Sequence, residues 1–268
     1  IKTDYILRGG SRVGIYFLEI GAAQRPSNVI YDRENASVTL LRYELLNWDE
    51  VLNGATWFHI TGITPALCET LADTVLKVVT KAKSLGIMVS CDLNYRKKLW
   101  SPDRAREVMS SIVEKSDLVI GNEEDAELVF GIKAPRSNVE AGKIDVEGYK
   151  YVCIELTKKF KNLKYVAITL RESISAFDNL WSAVLWDGDN FYVSNKYSIH
   201  VVDRVGSGDS FSAGLIYGLL NKYSPSEALE FAVALSCLKH SVHGDFNIFR
   251  KDEVIQIIKT GGTGRIIR

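Results

Sequence analysis

From residue 56 onward, short apolar runs alternate with longer stretches of helical periodicity, and this rhythm limits the fold more than any other feature. Thr56–Gly62 (TWFHITG), Ile87–Asn94, Asp117–Asn122 and Tyr165–Leu170 are near-continuous apolar runs, the pattern of strands buried on both faces. Pro65 opens a helical stretch with Leu67, Leu71, Val75, Val78 and Ala82 in phase, ended by Gly86. A second helix runs from Pro102 to about Lys115, and a short third one is closed by Gly131. A fourth is expected from about Val146 to Lys159. Strands alternating with helices imply right-handed crossovers and a mostly parallel sheet with helices on both faces.

The flanks differ from this core. Val13–Ile20 and Asn28–Arg33 read as strands, so residues of about 12–40 suit a small β lid and about 45–268 an α/β core, within a single domain spanning 1–268. Ser175–Ser194 reads as a hairpin split at Asp187-Gly188-Asp189. Two helices are expected after Gly206, and Lys133–Val146 is the most loop-like stretch. The lid would lie over the C-terminal ends of the strands, where ligands bind in open α/β sheets.

Composition removes several functions. Lys+Arg and Asp+Glu both number 33, so no global field draws the chain to nucleic acid or an anionic membrane. No apolar run approaches the ~18 residues of a membrane span. Cys68, Cys91, Cys153 and Cys237 are scattered without a CxxC pair, which fits reduced thiols in a cytoplasmic protein better than a zinc site or disulfide framework.

The stretch Asp203–Leu220 (DRVGSGDSFSAGLIYGLL) carries the chemistry. Gly206, Ser207 and Gly208 form a small-residue turn into an apolar helix, whose unpaired N–H groups and dipole favour an anion. Asp209 follows at once. A carboxylate beside an anion hole suits phosphoryl transfer, with Asp209 as base to an attacking hydroxyl. An N-capped helix after a glycine turn would account for a shorter version of the pattern. No G-x-x-x-x-G-K-[ST] occurs, so a P-loop is disfavoured.

The longer pattern D-x-x-G-x-G-D-S-F-x-A-G resembles the signature of the ribokinase-like (PfkB) carbohydrate kinases. The resemblance implies a ribokinase-like α/β fold, ATP and Mg2+ as co-substrate and metal, and leaves open a monovalent cation such as K+. The family has Ala where Ser207 stands and Thr or Pro where Arg204 stands; neither change removes a backbone donor. Its N-x-x-E element falls on Asn122-Glu123-Glu124-Asp125, which places Asn122 by the nucleotide and Asp125 or Glu124 at the metal's water shell. A solvated acidic first turn would look the same. Thr169, Leu170, Arg171 and Glu172 match the family's nucleotide-lining segment; Arg171 suits either ATP phosphates or the surface.

Three segments, Arg25–Arg33, His59–Leu67 and Asp92–Trp100, resemble the 2-keto-3-deoxygluconate kinase branch. That branch implies a small sugar-acid substrate, with Arg33 and Arg96 at its carboxylate, Tyr16 and Tyr31 walling it from the lid, and Asp245 holding a carbonyl or hydroxyl near the base. Paired arginines suit a carboxylate, and tyrosines supply wall and hydroxyl together. Each has a plainer reading: Arg96 as partner of Asp92, Tyr16 as core, Arg33 as a solvated strand end, His59 as a core histidine. Family members open with a strand carrying a Gly-Asp turn that does not precede Ile1, so the N-terminal part of the family fold is expected to be missing. The family also implies a homo-oligomer through the lid strands. Two alternatives stay open: a fructokinase-like sugar kinase, and a non-catalytic nucleotide-binding module.

Overall fold

The computed structural model describes residues 2–137 and 144–262. Two strands, β1 (Ile15–Glu19) and β2 (Asn28–Asp32), pair antiparallel as a separate ribbon. A short α1 (Trp48–Val51) leads into β3 (Trp57–Thr61), α2 (Ile63–Ala66), α3 (Glu69–Ser84), β4 (Met88–Asp92), α4 (Pro102–Val113), β5 (Leu118–Gly121), α5 (Asp125–Phe130), α6 (Val146–Lys159) and β6 (Tyr165–Ser173). Then come β7 (Asp178–Trp186), β8 (Phe191–Val193), β9 (Tyr197–His200), α7 (Ser207–Leu220), α8 (Pro225–Lys239) and α9 (Lys251–Thr260).

The main sheet runs β3-β4-β5-β6-β7-β8, with β9 also pairing with β7. Strands β3 to β6 are parallel, as the alternation predicts, and β7, β8 and β9 join antiparallel. Alternate residues of each strand feed two cores. Val119, Val166, Ile168 and Leu170 pack with α3, α4, α5 and α6, whereas Leu118, Ile120, Ala167 and Leu185 pack with α7, α8 and α9. The result is a three-layer sandwich whose sheet is apolar on both faces.

Local chemistry accounts for most boundaries. Ser101 caps α4 by accepting the Arg104 N–H, with Pro102 in its first turn; Ser224 and Glu227 form a reciprocal box around Pro225 at the start of α8. Helix α7 lies so close to α8 that a Cβ on Gly214 would sit 2.8 Å from the Ala232 Cα. Two expectations are corrected. Pro65 belongs to the short α2, and the long helix begins only at Glu69, because Cys68 is fully extended (φ −168°) and interrupts the helical path. A third helix, α9, follows the two expected after Gly206. Part of the expected 133–146 loop lies outside the described residues.

Candidate active site

A cavity of about 560 Å³ opens at the C-terminal ends of the parallel strands. Thr61, Asp92 and Gly121 end β3, β4 and β5 there, and Thr169 and Arg171 come from β6. The ribbon covers it: Tyr16, Leu18, Val29 and Tyr31 face inward while Ile15, Phe17 and Ile30 face out and are exposed. Alternation along an antiparallel pair requires this split. The Tyr16 and Tyr31 rings lie 6.4 Å apart, and the Arg33 guanidinium stacks 4.4 Å from the Tyr31 ring centre.

At the floor, Gly206 takes a left-handed conformation (φ +76°) that turns the chain into α7. Gly206, Ser207, Gly208 and Asp209 all line the cavity. Ser207 Oγ donates to the Arg204 carbonyl at 2.9 Å, and Asp203 accepts the N–H groups of Val205 (3.0 Å) and Gly244 (2.9 Å). The second of these bonds brings in the loop that carries Asp245, another lining residue. Asp209 is exposed.

Among the described residues, five buried polar atoms lining this cavity have no hydrogen-bond partner: Arg33 Nη1, Arg171 Nε, both amide atoms of Asn179, and Trp181 Nε1. Buried polar groups are normally paired, so an unpaired cluster marks a place for a polar ligand. Arg204 joins Arg171 in the same wall; burial lowers its pKa, and the neighbouring Arg171 lowers it further. Glu123, buried, faces Arg171 at 3.4 Å; burial pushes its pKa up while Arg171 pulls it down. Asp92 is pushed up to about 8 by burial and then by Asp125 and Asp209.

Thirteen of the sixteen expected site residues come together here: Tyr16, Tyr31, Arg33, Arg96, Asn122, Asp125, Thr169, Arg171, Gly206, Ser207, Gly208, Asp209 and Asp245. Leu170, Glu172 and Glu124 do not line the cavity. Strand alternation turns Leu170 into the opposite core and aims Glu172 at Lys196. Glu124 is exposed before the first turn of α5. Asp125 is 2% exposed, and both its oxygens accept backbone N–H groups, from Tyr95 and Asn122. His59 is no core histidine: it is exposed on the outer strand β3, where Ser90 Oγ, itself accepting Trp57 Nε1–H, meets its Nδ1 at 2.7 Å. From the sequence, Asn179 and the cavity-facing role of Arg204 go unnoticed and Trp181 reads as a packing residue, whereas all three line the cavity. Only Arg204, inside the motif, carried a signal.

The pfkB family carbohydrate kinase model matches residues 1–251. The chain belongs to that family. A 2-dehydro-3-deoxygalactonokinase of Haloferax volcanii is 32% identical over 254 residues, covering 95% of this chain and 73% of that one. The solved 2-dehydro-3-deoxygluconokinase of Thermotoga maritima is 46% identical and superposes with a TM-score of 0.91, covering 97% of this chain and 77% of that one. A ribokinase-like protein of E. coli, solved with ATP and Mg2+, shares the fold (TM-score 0.70, 21% identity, 87% of this chain and 68% of that one). The ribokinase-like architecture inferred from the motif is therefore the fold of this chain. Among the described residues, no helix is long and apolar enough to cross a membrane.

Proposed function

We propose that this kinase transfers the γ-phosphoryl group of ATP to the terminal hydroxyl of 2-keto-3-deoxygluconate, or its galactonate-derived epimer, giving the 6-phosphate. The observation that carries this reading is the lining of one cavity, which brings the Gly206–Gly208 turn and Asp209 together with Arg33, Arg96, Tyr16 and Tyr31, a buried guanidinium nitrogen of Arg33 being unpaired. An unpaired buried guanidinium calls for a carboxylate, which a neutral sugar lacks. This disfavours a fructokinase-like activity. The names of the Haloferax and Thermotoga relatives support a sugar acid.

Asp209 accepts the proton of the attacking hydroxyl, whose oxygen bonds to the γ-phosphorus as the bond to the β–γ bridging oxygen breaks and ADP leaves. The N–H groups opening α7 hold charge on the transferring group. Asp245, on the loop over the turn, orients the hydroxyl. Arg171 and Arg204 form a doubly cationic wall that fits a polyphosphate, and Asn122 and Thr169 lie beside it. Mg2+ fits as a partner of the nucleotide: the described residues offer no cluster of three His, Cys, Asp or Glu ligands, while the exposed Glu124, beside the cavity-lining Asn122, supplies hard oxygens suited to a water shell. When bound, Mg2+ neutralises charge on the β- and γ-phosphates. The exposed Ile15, Phe17 and Ile30 of the ribbon support pairing with a second copy, and four free cysteines support a cytoplasmic setting.

The test is ADP release with MgATP and each sugar acid, with fructose alongside. Turnover of a sugar acid, a loss of several orders of magnitude in kcat for Asp209→Ala, and a raised KM for Arg33→Ala and Arg96→Ala are expected. Equal turnover of fructose would overturn the substrate assignment. Nucleotide binding without turnover of any sugar would favour a non-catalytic module.

A further inference from the structure

We propose that Asp125 is a positioning residue that ties the acid-binding half of the site to the phosphate-binding half, rather than a holder of the metal. The inference rests on the reading above that Arg96 meets the sugar acid and the Asn122 turn lies by the phosphates. Asp125 sits in the first turn of α5, 2% exposed. Its Oδ1 accepts the N–H of Tyr95 at 3.1 Å and its Oδ2 the N–H of Asn122 at 2.9 Å. Those two peptides lie just past the ends of β4 and β5, beyond the paired register of the sheet. One carboxylate therefore joins two loops that the ladder leaves free.

Each loop carries a different part of the machinery. On the β4 side, the Tyr95 carbonyl accepts from Arg96 Nη1 at 3.0 Å, and the Tyr95 hydroxyl donates to the Trp100 carbonyl at 3.2 Å. Asp125 thus holds the N–H end of Tyr95, the residue whose carbonyl anchors the Arg96 side chain. On the β5 side, Asn122 Oδ1 accepts the N–H groups of Glu124 (2.8 Å) and Asp125 (3.0 Å). The next residue, Glu123, has its carbonyl held by Tyr149 Oη at 3.0 Å and its carboxylate against Arg171. A shift of the Asn122 turn would carry the partner of Arg171 with it.

The arm length fits this task. A Cβ on Gly121 would already lie 3.3 Å from the Asp125 Cβ, so the carboxylate is pressed against the strand end. Hydrogen bonds from backbone N–H to a buried carboxylate are among the stronger ones, and leaving both N–H groups unpaired in this interior would let both loops drift.

The experiment uses the full chain with Asp125→Ala, which removes both links, and Asp125→Asn, whose single carbonyl oxygen keeps one. Calorimetry gives the Kd of 2-keto-3-deoxygluconate alone, of ADP alone, and of each with the other saturating; thermal melts and the Mg2+ dependence of turnover are measured beside them. The expected result is a Kd raised about tenfold for both ligands in Asp125→Ala, with Asp125→Asn between it and wild type. Any mutual tightening of the two ligands seen in wild type disappears in Asp125→Ala, while the Mg2+ concentration for half-maximal rate at saturating nucleotide is unchanged. If Asp125→Ala does not fold, the intermediate Kd values of Asp125→Asn carry the test. A shift confined to the Mg2+ dependence would overturn the proposal in favour of a metal-shell role. A lowered Tm with both Kd values unchanged would reduce Asp125 to a plain stabilising residue and overturn it as well. A wild-type chain that binds neither ligand would instead defeat the proposed function, on which this inference depends.

Discussion

Replacing Gly206 by alanine separates the anion turn's backbone geometry from its chemistry. Gly206 has φ +76°, a region an L side chain enters at about 1–2 kcal/mol. The added Cβ would stand 2.2 Å from the Asp245 carbonyl oxygen and 3.1 Å from its carbon, far inside contact distance. Backbone on both sides means neither atom can swing away. The loop carrying Asp245 must retreat, straining the Gly244 N–H bond to Asp203 (2.9 Å) and the Asn247 Nδ2–H bond to Ser210 Oγ (3.1 Å). Losing a bond to a carboxylate adds about 1.5–3 kcal/mol, so the total is about 3–5 kcal/mol. In a domain of this size each kcal/mol lowers Tm by about 2–4 °C, giving a drop of about 6–20 °C. Gly208→Ala is the control: no heavy atom lies within 4 Å of the point where its new methyl group would stand, and α7 has already begun there. Alanine suits a helix better than glycine, so Tm should hold or rise slightly. Gly208 lines the cavity, so an added methyl would take space from the transferring group, and kcat should fall in both variants. Differential scanning fluorimetry and ADP-release kinetics read the pair. A Gly206→Ala protein with Tm within about 2 °C of wild type and unchanged kcat would refute the reasoning.

Three further outcomes are expected. Asp117 is 1% exposed; burial alone would raise its pKa, but Lys83 (2.9 Å), the Val89 N–H (2.9 Å) and Lys164 (3.2 Å) outweigh it and hold it below the usual range. Its stabilising effect is therefore full above the unfolded pKa and lost as pH falls through the folded one, and Asp117→Ala, which leaves the Val89 N–H unpaired beside two solvent-accessible lysines, should cost about 1–3 kcal/mol in urea melts at pH 7. Asp92 behaves oppositely: with its pKa pushed up to about 8, the folded chain holds a proton that the unfolded chain gives up near pH 4. Stability should fall as pH rises from about 4 to 8, and Asp92→Asn should flatten that part of the Tm–pH curve; parallel curves would sink the assignment. Ile30→Lys places a charge on the outer face of the ribbon beside Phe17, so a dimer built on that face should dissociate in analytical ultracentrifugation, leaving the inward Tyr16 and Tyr31 undisturbed.

The parallel half of the sheet was legible because burial on both faces forces continuous apolar runs, which Ile87–Asn94 and Asp117–Asn122 display; Thr56–Gly62 has the same pattern but forms the edge strand β3, where no residue is fully buried. The turn into α7 was legible because its backbone demand falls on glycine. The start of α3 was not: Pro65 is a genuine helix-opening signal, satisfied by the four-residue α2, and nothing in Leu67-Cys68 marks Cys68 as extended. Helix α9 escaped notice because Arg250 at its start has no side-chain acceptor, so the only cap bond is its own N–H donating to Glu253 at 2.8 Å, and only Val254 is buried. Within Thr169–Glu172 the segment was right but every second residue pointed away, a matter of strand phase. Asn179 and Trp181 reach the cavity only because β7 pairs antiparallel with both β6 and β9, a tertiary fact without a local trace.

The two halves of the site rest on unequal foundations, and this bears on how the family diversifies. The phosphate side stands on α7, packed against α8 and with Phe211 and Leu215 fully buried. The acid side stands partly on a two-stranded ribbon, a structure marginal by itself. The ribbon is fastened by single contacts: Lys98 Nζ to the Val29 carbonyl, and the Ala176 N–H to the Ala23 carbonyl, both at 2.8 Å. Its inward tyrosines are half-buried or exposed. On the proposed function, the sugar acid would cover them and pair with Arg33. Substitutions in the ribbon can then change which acid or sugar fits without disturbing the turn assigned to the transfer. The reverse does not hold, because a side chain at Gly206 would displace the Asp245 backbone, which lines the same cavity.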